Sequence, residues 1–349
     1  MSRCTFLSLF LSLGVMLYDL PAASLPDSPS KAKDTLVSDL EPIADAAECL
    51  AGLRWEPSEF EVRAGASTGD SDKLLRFPSP VPSGEATNDE VALEWFMHRD
   101  AAGTPVKAPA IIVVHESGRG MTAGKAVARG LRLMGCHTFL LHMPGYGVRT
   151  TAIKDDMKRL FPGLRQAIAD TRRARDAVAS LPLVDSTRVG LCGVSLGGFV
   201  TATVLGLDRG YQHGFILLAG GHLKEVVLKG ERDAATLRRQ LRDAGLADTE
   251  IITAISTIEP LRLAHRADAA NVWLFSASKD EVVPPACAAD FAKAAGLSRE
   301  HHLEYACGHY TAALYLPLII RKMGEVMLDL PPLPDPSKQS LKTVAPVSK

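Results

Sequence analysis

The chain has 349 residues, 46% of them hydrophobic and 23% charged, a composition that builds a folded core and excludes a disordered or low-complexity chain. Its formal net charge of -1, with no basic stripe, gives nucleic-acid binding no electrostatic footing. The length suits one α/β sheet domain with insertions.

Arg3, the apolar run from Phe6 to Leu17 and the small residues Ala22, Ala23 and Ser24 have the layout of an export signal, so residues 1–24 are expected to direct the chain to the periplasm or the medium. The run is too short for a comfortable membrane span. The alternative is an uncleaved N-terminal anchor. Cys4 lies at the wrong end for lipid attachment, and no later stretch reads as a transmembrane helix. Residues 25–35, rich in Pro, Ser and Lys, read as a linker. A weakly periodic helix is expected near Thr35 to Leu53, then strands at Glu59 to Val62 and Lys73 to Phe77, a Pro-rich loop, and a strand at Val91 to Phe96. Residues 25–90 thus form an N-terminal extension with the first strands, ahead of a catalytic domain over 91–330.

From Val91 onward, apolar strand-length runs alternate with helical segments. Ala110 to Val114 reads as a strand buried on both faces, Ala123 to Met134 as a helix and Thr138 to Leu141 as the next strand. A helix from about Pro162 to Leu181 carries its apolar stripe on Leu164, Ile168, Val178 and Leu181, through Thr171 and Ala174. Arg188 to Cys192 is a strand followed by a helix from Gly197. Phe215 to Leu218, Val272 to Phe275 and His302 to Tyr305 are the remaining strands, and a helix from Tyr310 to about Leu328 closes the domain. This alternation predicts an α/β class: a mostly parallel central sheet with helices on both faces. Between 222 and 268 the alternation breaks into short, Arg-rich helical pieces, which read as a solvated insert or as a cap over the site. Residues 331–349 read as a disordered tail. Behind the signal stand Cys49, Cys136, Cys192, Cys287 and Cys307. Cys136 and Cys192 fit buried strands, and the pairing of Cys287 with Cys307 stays open.

Gly193-Val-Ser195-Leu-Gly197 matches G-x-S-x-G. Alone it is a weak signal. Between a strand and a helix it is the setting of a nucleophile elbow, where a tight turn lifts the serine hydroxyl and glycines avoid a collision of Cβ with the turned chain. A serine hydroxyl needs a base to take its proton. His309, after the last strand, has that placement, and Asp280, after the strand before it, is placed to orient the imidazole; Glu281 is the alternative acid. The backbone N–H of Leu196 is one expected oxyanion donor. The second is expected at Glu116 or Ser117, in the loop His115-Glu-Ser-Gly-Arg-Gly120, with His115 itself structural. Tyr146 reads equally as a pocket residue or as a packed loop residue. His301 and His302 read as surface residues. His98, His137, His142, His213, His222 and His265 have no partners at metal-ligand spacing, and the chemistry calls for neither a metal nor an organic cofactor.

Three blocks carry a resemblance: His115-Glu-Ser-Gly-Arg-Gly120, Gly193-Val-Ser-Leu-Gly-Gly198, and Asp280-Glu-Val-Val-Pro284 with Gly308-His309. Over roughly Val91 to Leu328 the chain resembles the α/β-hydrolase superfamily, most of all its dienelactone hydrolase-like and acetyl xylan esterase-like branches. The resemblance implies the α/β-hydrolase fold and a serine hydrolase that cleaves a carboxylic ester through an acyl-enzyme. Dienelactone hydrolases use a Cys nucleophile where this chain has Ser195, which argues against that particular substrate. The implied partner is a small-molecule or polysaccharide-linked ester. A serine peptidase of the prolyl-oligopeptidase-like group shares the triad order. That group usually carries a large N-terminal propeller, for which residues 25–90 are too few, so the ester comes first. An acyltransferase would share the triad, and a non-catalytic binding protein would have a broken one.

Overall fold

The structure, a computed structural model, describes residues 29–67, 69–151 and 156–331. The expected export signal and all but the first residue of the expected tail lie outside them. Ten strands form one sheet: β1 (Ser30–Lys33), β2 (Glu59–Ala66), β3 (Lys73–Pro78), β4 (Glu90–Phe96), β5 (Ala108–Val114), β6 (His137–His142), β7 (Val184–Val194), β8 (His213–Leu217), β9 (Val272–Ala277) and β10 (His302–Tyr305). Their order is β1-β2-β3-β4-β6-β5-β7-β8-β9-β10. Pairing is antiparallel from β1 to β6 and parallel from β6 to β10. This is the mixed sheet of an α/β-hydrolase.

The ten α-helices of the described residues are α1 (Ala44–Leu53), α2 (Ala86–Asp89), α3 (Thr122–Met134), α4 (Leu160–Ala179), α5 (Leu196–Leu207), α6 (Leu223–Lys229), α7 (Asp233–Asp243), α8 (Asp248–Ser256), α9 (Pro285–Ala294) and α10 (Leu316–Met327). Side-chain alternation splits β5 between two cores. Ala110, Ile112 and Val114 pack with α1, α4, α5 and α9, while Ile111 and Val113 face α3 and α10. Helices therefore cover both faces. None of the described helices is long and apolar enough to cross a membrane.

Four expectations need correction. Residues 30–33 are a strand, not a linker: β1 pairs with the first half of β2, and the second half of β2 pairs with β3. The helix expected from Thr35 begins only at Ala44, because Asp34 and Thr35 are held extended by α4. There Arg173 donates to both Asp34 carboxylate oxygens, and Thr35 donates through N and Oγ1 to Asp176 at 2.8 and 2.7 Å. The last helix starts as a 3-10 turn over Thr311–Tyr315; Pro317, which lacks an N–H, fits only the first turn of α10. His301 and His302 are partly buried: the His301 ring stacks on Trp273 at 4.4 Å, and the His302 ring bonds Ser276 Oγ at 2.9 Å. Cys136 and Cys192 are buried as expected, and Cys287 and Cys307 are buried free thiols.

Two strands leave the sheet in opposite senses at one point. From β5 the chain crosses to β6 on one side, and from β6 it returns to β7 on the other. In open α/β sheets the carboxyl ends of the strands at such a reversal are where ligands collect.

Candidate active site

The turn from β7 into α5 carries Ser195 at φ 52°, ψ -113°, a conformation few side-chain-bearing residues adopt. The glycines beside it are required by space. A Cβ on Gly193 would lie 2.1 Å from Gly197 O, and one on Gly197 would lie 2.2 Å from Val114 O. The second contact also shows that the elbow is pressed against the end of β5, next to the 115–120 loop. Leu196 is the first residue of α5, so its N–H is one of the leading amide groups that a helix leaves without an internal partner.

His309 Nε2 lies 3.0 Å from Ser195 Oγ, and His309 Nδ1 lies 2.7 Å from Asp280 Oδ2. Asp280 Oδ1 accepts from Val282 N at 2.9 Å and Val283 N at 2.8 Å, which fixes the buried carboxylate by its other oxygen. With Nδ1–H donating to Asp280, Nε2 is left to accept the serine proton. This hydrogen-bond chain is able to generate an alkoxide-like nucleophile on demand. Glu281, the alternative acid, points elsewhere and pairs with Arg232 at 2.6 Å.

At the end of β5, His115 is fully buried. Its Nε2 accepts from Met143 N at 3.2 Å, so the proton sits on Nδ1, which donates to Glu116 O at 2.6 Å. Burial pushes its pKa down to about 4, so the ring is neutral. The carbonyl of Glu116 is thereby turned toward the imidazole. A trans peptide sends the N–H of Ser117 the opposite way. The Glu116 carboxylate holds the start of α3, accepting from Ala123 N at 3.1 Å and Gly124 N at 3.0 Å. Tyr146 packs its ring on His115 at 4.6 Å and donates from its hydroxyl to Ser117 O at 3.1 Å. Burial raises the Tyr146 pKa.

Helices α6 to α8 make up the insert that the sequence reads as a solvated insert or as a cap over the site. The turn joining α6 to α7 sits against the loops of the acid and the base. Glu231 N donates to Glu281 O at 2.9 Å, and Tyr310 Oη donates to Asp233 Oδ2 at 2.7 Å. At the root of the insert, Glu259 accepts from His222 N at 2.8 Å, Leu223 N at 2.7 Å and Leu261 N at 3.0 Å. One half-buried carboxylate thus ties the insert's start to its end.

Among solved structures, the fold is similar to a puromycin-hydrolyzing peptidase of Mycobacterium tuberculosis (14% identity, TM-score 0.56, covering 78% of this chain and 45% of that one). It is also similar to an acylaminoacyl peptidase of Pyrococcus horikoshii (16%, 0.53, 77% and 41%) and to an acetyl xylan esterase of Paenibacillus sp. R4 (14%, 0.52, 84% and 88%). The chain spans less than half the length of either peptidase. No curated protein matches. The prolyl oligopeptidase family matches residues 131–307, just over half of the chain, a span that holds Ser195 and Asp280 and ends two residues before His309. The chain therefore belongs to the prolyl oligopeptidase family and is a serine hydrolase of the α/β-hydrolase superfamily.

Proposed function

We propose that the protein hydrolyses carboxylic esters through an acyl-enzyme on Ser195, with His309 as base and Asp280 as its orienting acid. The observation that carries this is the unbroken chain from Ser195 Oγ through the His309 ring to Asp280, at 3.0 and 2.7 Å. His309 Nε2 takes the Oγ proton as Oγ bonds the acyl carbon. The oxyanion is held by the N–H of Leu196 and that of Ser117, which the His115 bond favours over Glu116. Each such donor contributes about 3 kcal/mol to lowering the barrier. The C–O bond to the leaving alcohol then breaks as His309 returns the proton to it. Water, deprotonated by the same imidazole, attacks the acyl-enzyme, and Oγ leaves with its proton restored. No step calls on a metal or an organic cofactor.

Esters come before peptides on chemical grounds. An alcohol leaves more readily than an amine, so any site able to cleave an amide also cleaves an activated ester. Peptide-bond hydrolysis is the second reading, favoured by the family match. An export role, with residues 1–24 as signal and a polysaccharide-linked or small ester outside the cytoplasm as substrate, completes the proposal. N-terminal sequencing of secreted material tests that part.

The catalytic test is hydrolysis of p-nitrophenyl acetate, butyrate and octanoate, beside aminoacyl naphthylamides, by the wild type and by Ser195→Ala and His309→Ala. The expected result is ester turnover that falls by at least ~10⁴-fold in kcat in each variant. A folded wild type inert to all three esters, or near-normal turnover by either variant, overturns the assignment. Cleavage of the naphthylamides as well favours the peptidase reading.

A further inference from the structure

Beside His309 lies a cavity of about 330 Å³, walled by Arg232, Lys279, Glu281, Val282 and Tyr310 as well as by the imidazole. Ser195 and the oxyanion-loop residues are not among its lining residues. In the proposed reaction the leaving group receives its proton from His309, so it departs on the imidazole's side of the nucleophile. This cavity opens against the imidazole.

Its outer wall is the turn between α6 and α7, and that turn is fixed by independent contacts. Gly230 packs so tightly that a Cβ there would lie 2.6 Å from Val282 O, in the acid loop. Glu231 N donates to Glu281 O, and Arg232 Nε pairs with Glu281 at 2.6 Å. The Arg232 guanidinium lies 5.9 Å from the Tyr310 ring centre, and Tyr310 Oη bonds Asp233. Arg232 itself is held at φ 53°, ψ -114°, outside the regions open to an arginine in a relaxed chain. A strained residue persists only where its surroundings over-determine it. The segments gripped are those that directly follow Asp280 and His309 in sequence.

We infer that Arg232 and Tyr310 are specificity-determining residues that limit the size of the leaving group this site accepts. The inference rests on the proposed serine-hydrolase reading. Loosening the turn widens the space beside the imidazole, admitting bulkier leaving groups, while the acyl side, formed at the elbow and the 115–117 loop, is untouched.

The test uses the full-length protein and two acetate esters, ethyl and 2-naphthyl, so that the acyl group is constant. The quantity read is the naphthyl-to-ethyl ratio of kcat/KM for each variant, divided by the wild-type ratio, which cancels the intrinsic reactivity of the two leaving groups. Arg232→Ala removes the wall and its ion pair. Tyr310→Phe removes only the hydroxyl that holds Asp233. Each is expected to raise the ratio about tenfold, the scale on which pocket fit discriminates, with the change carried by KM. An unchanged or lowered ratio in both variants overturns the inference. If Arg232→Ala fails to fold, Tyr310→Phe alone decides. Labelling of wild-type Ser195 by a small fluorophosphonate separates the two levels: without it the hydrolase reading itself falls, whereas labelling with unmoved ratios refutes only the role of the turn.

Discussion

Ser195 and Arg232 share one unusual backbone conformation, within a degree in φ and in ψ, and only the first is announced by its neighbours in sequence. Gly-x-Ser-x-Gly encodes the elbow because a Cβ on Gly193 would meet the backbone of Gly197 and one on Gly197 would meet the end of β5. Arg232 has Glu231 and Asp233 beside it, and its geometry is imposed by loops fifty to eighty residues further on. Each such residue costs on the order of 1–3 kcal/mol. Buried histidines make a second residue-scale point. His115 and His137 are both neutral, burial lowering each to about 4 from an ordinary 6.5. His137 Nδ1 accepts from Trp95 Nε1 at 3.2 Å and His98 N at 3.0 Å, leaving Nε2 to donate to Val106 O at 2.9 Å. As pH falls from 6.5 to 4 the unfolded chain takes up these protons and the native chain does not, so stability drops over that window and levels off below it. The loss is at most about 3 kcal/mol per ring. Urea titrations at stepped pH should show it, and His137→Asn should flatten the slope by roughly half; equal stability at pH 7 and pH 4 would contradict the assignment.

At the scale of elements, α4 is the surprise. Of its expected apolar stripe, Ile168, Thr171, Ala174 and Val178 are buried, Leu164 is only half-buried and Leu181 is buried just past the helix end, yet Gln166, Asp170, Arg172, Arg173 and Asp176 are buried with them. Arg172 joins Asp176 at 3.0 Å and Asp208 at 2.8 Å, and Arg149 joins Asp170 at 2.7 Å. Burial pushes the Asp170 carboxyl above its usual range against the pull of Arg149. Removing one partner of such a pair strands the other charge, a loss of about 3–5 kcal/mol. Asp34→Ala should show it, because Asp34 also accepts from Trp55 Nε1 and Ser58 N. A denaturation midpoint that barely moves would mean that β1 is not anchored through this carboxylate. The same pairs explain what could be read in advance. Strands β4 to β10 and helices α3 to α5 follow from apolar runs of the right length, a local property, whereas α9, built largely on Ala with few large apolar residues, was not legible. β1 was hidden because Ser30-Lys-Ala-Lys33 has no strand signature, and its partners stand at Glu59 to Val62 and, through Asp34 and Thr35, on α4. The motif, the acid and the base were legible because their places follow strand ends. The clasp of Glu231 to Asp233 on Glu281 and Tyr310 was not, since neither spacing nor composition marks a surface turn that closes over distant loops.

The described residues form one sheet with a helical insert whose two ends meet at one carboxylate. Glu259 satisfies three backbone N–H groups at both ends of the insert, and burial raises its pKa. Glu259→Ala leaves those partly buried donors without their partner, at a cost of about 1 kcal/mol. The cost should be local: hydrogen exchange should quicken across residues 222–258 while β5 to β8 keep their protection. Uniform acceleration would instead mean that the insert and the sheet unfold as one unit. The register of the last strands bears on how the protein is made. Ser195 and the oxyanion loop are complete once β8 has joined β7, but Asp280 and His309 come from the ends of β9 and β10, the last strands at their edge of the sheet. On the proposed mechanism, a chain growing from its amino end carries an inert serine until its final strand docks. Turnover is thus a stricter report of finished assembly than helicity or compactness, and a partly built chain is unable to acylate itself.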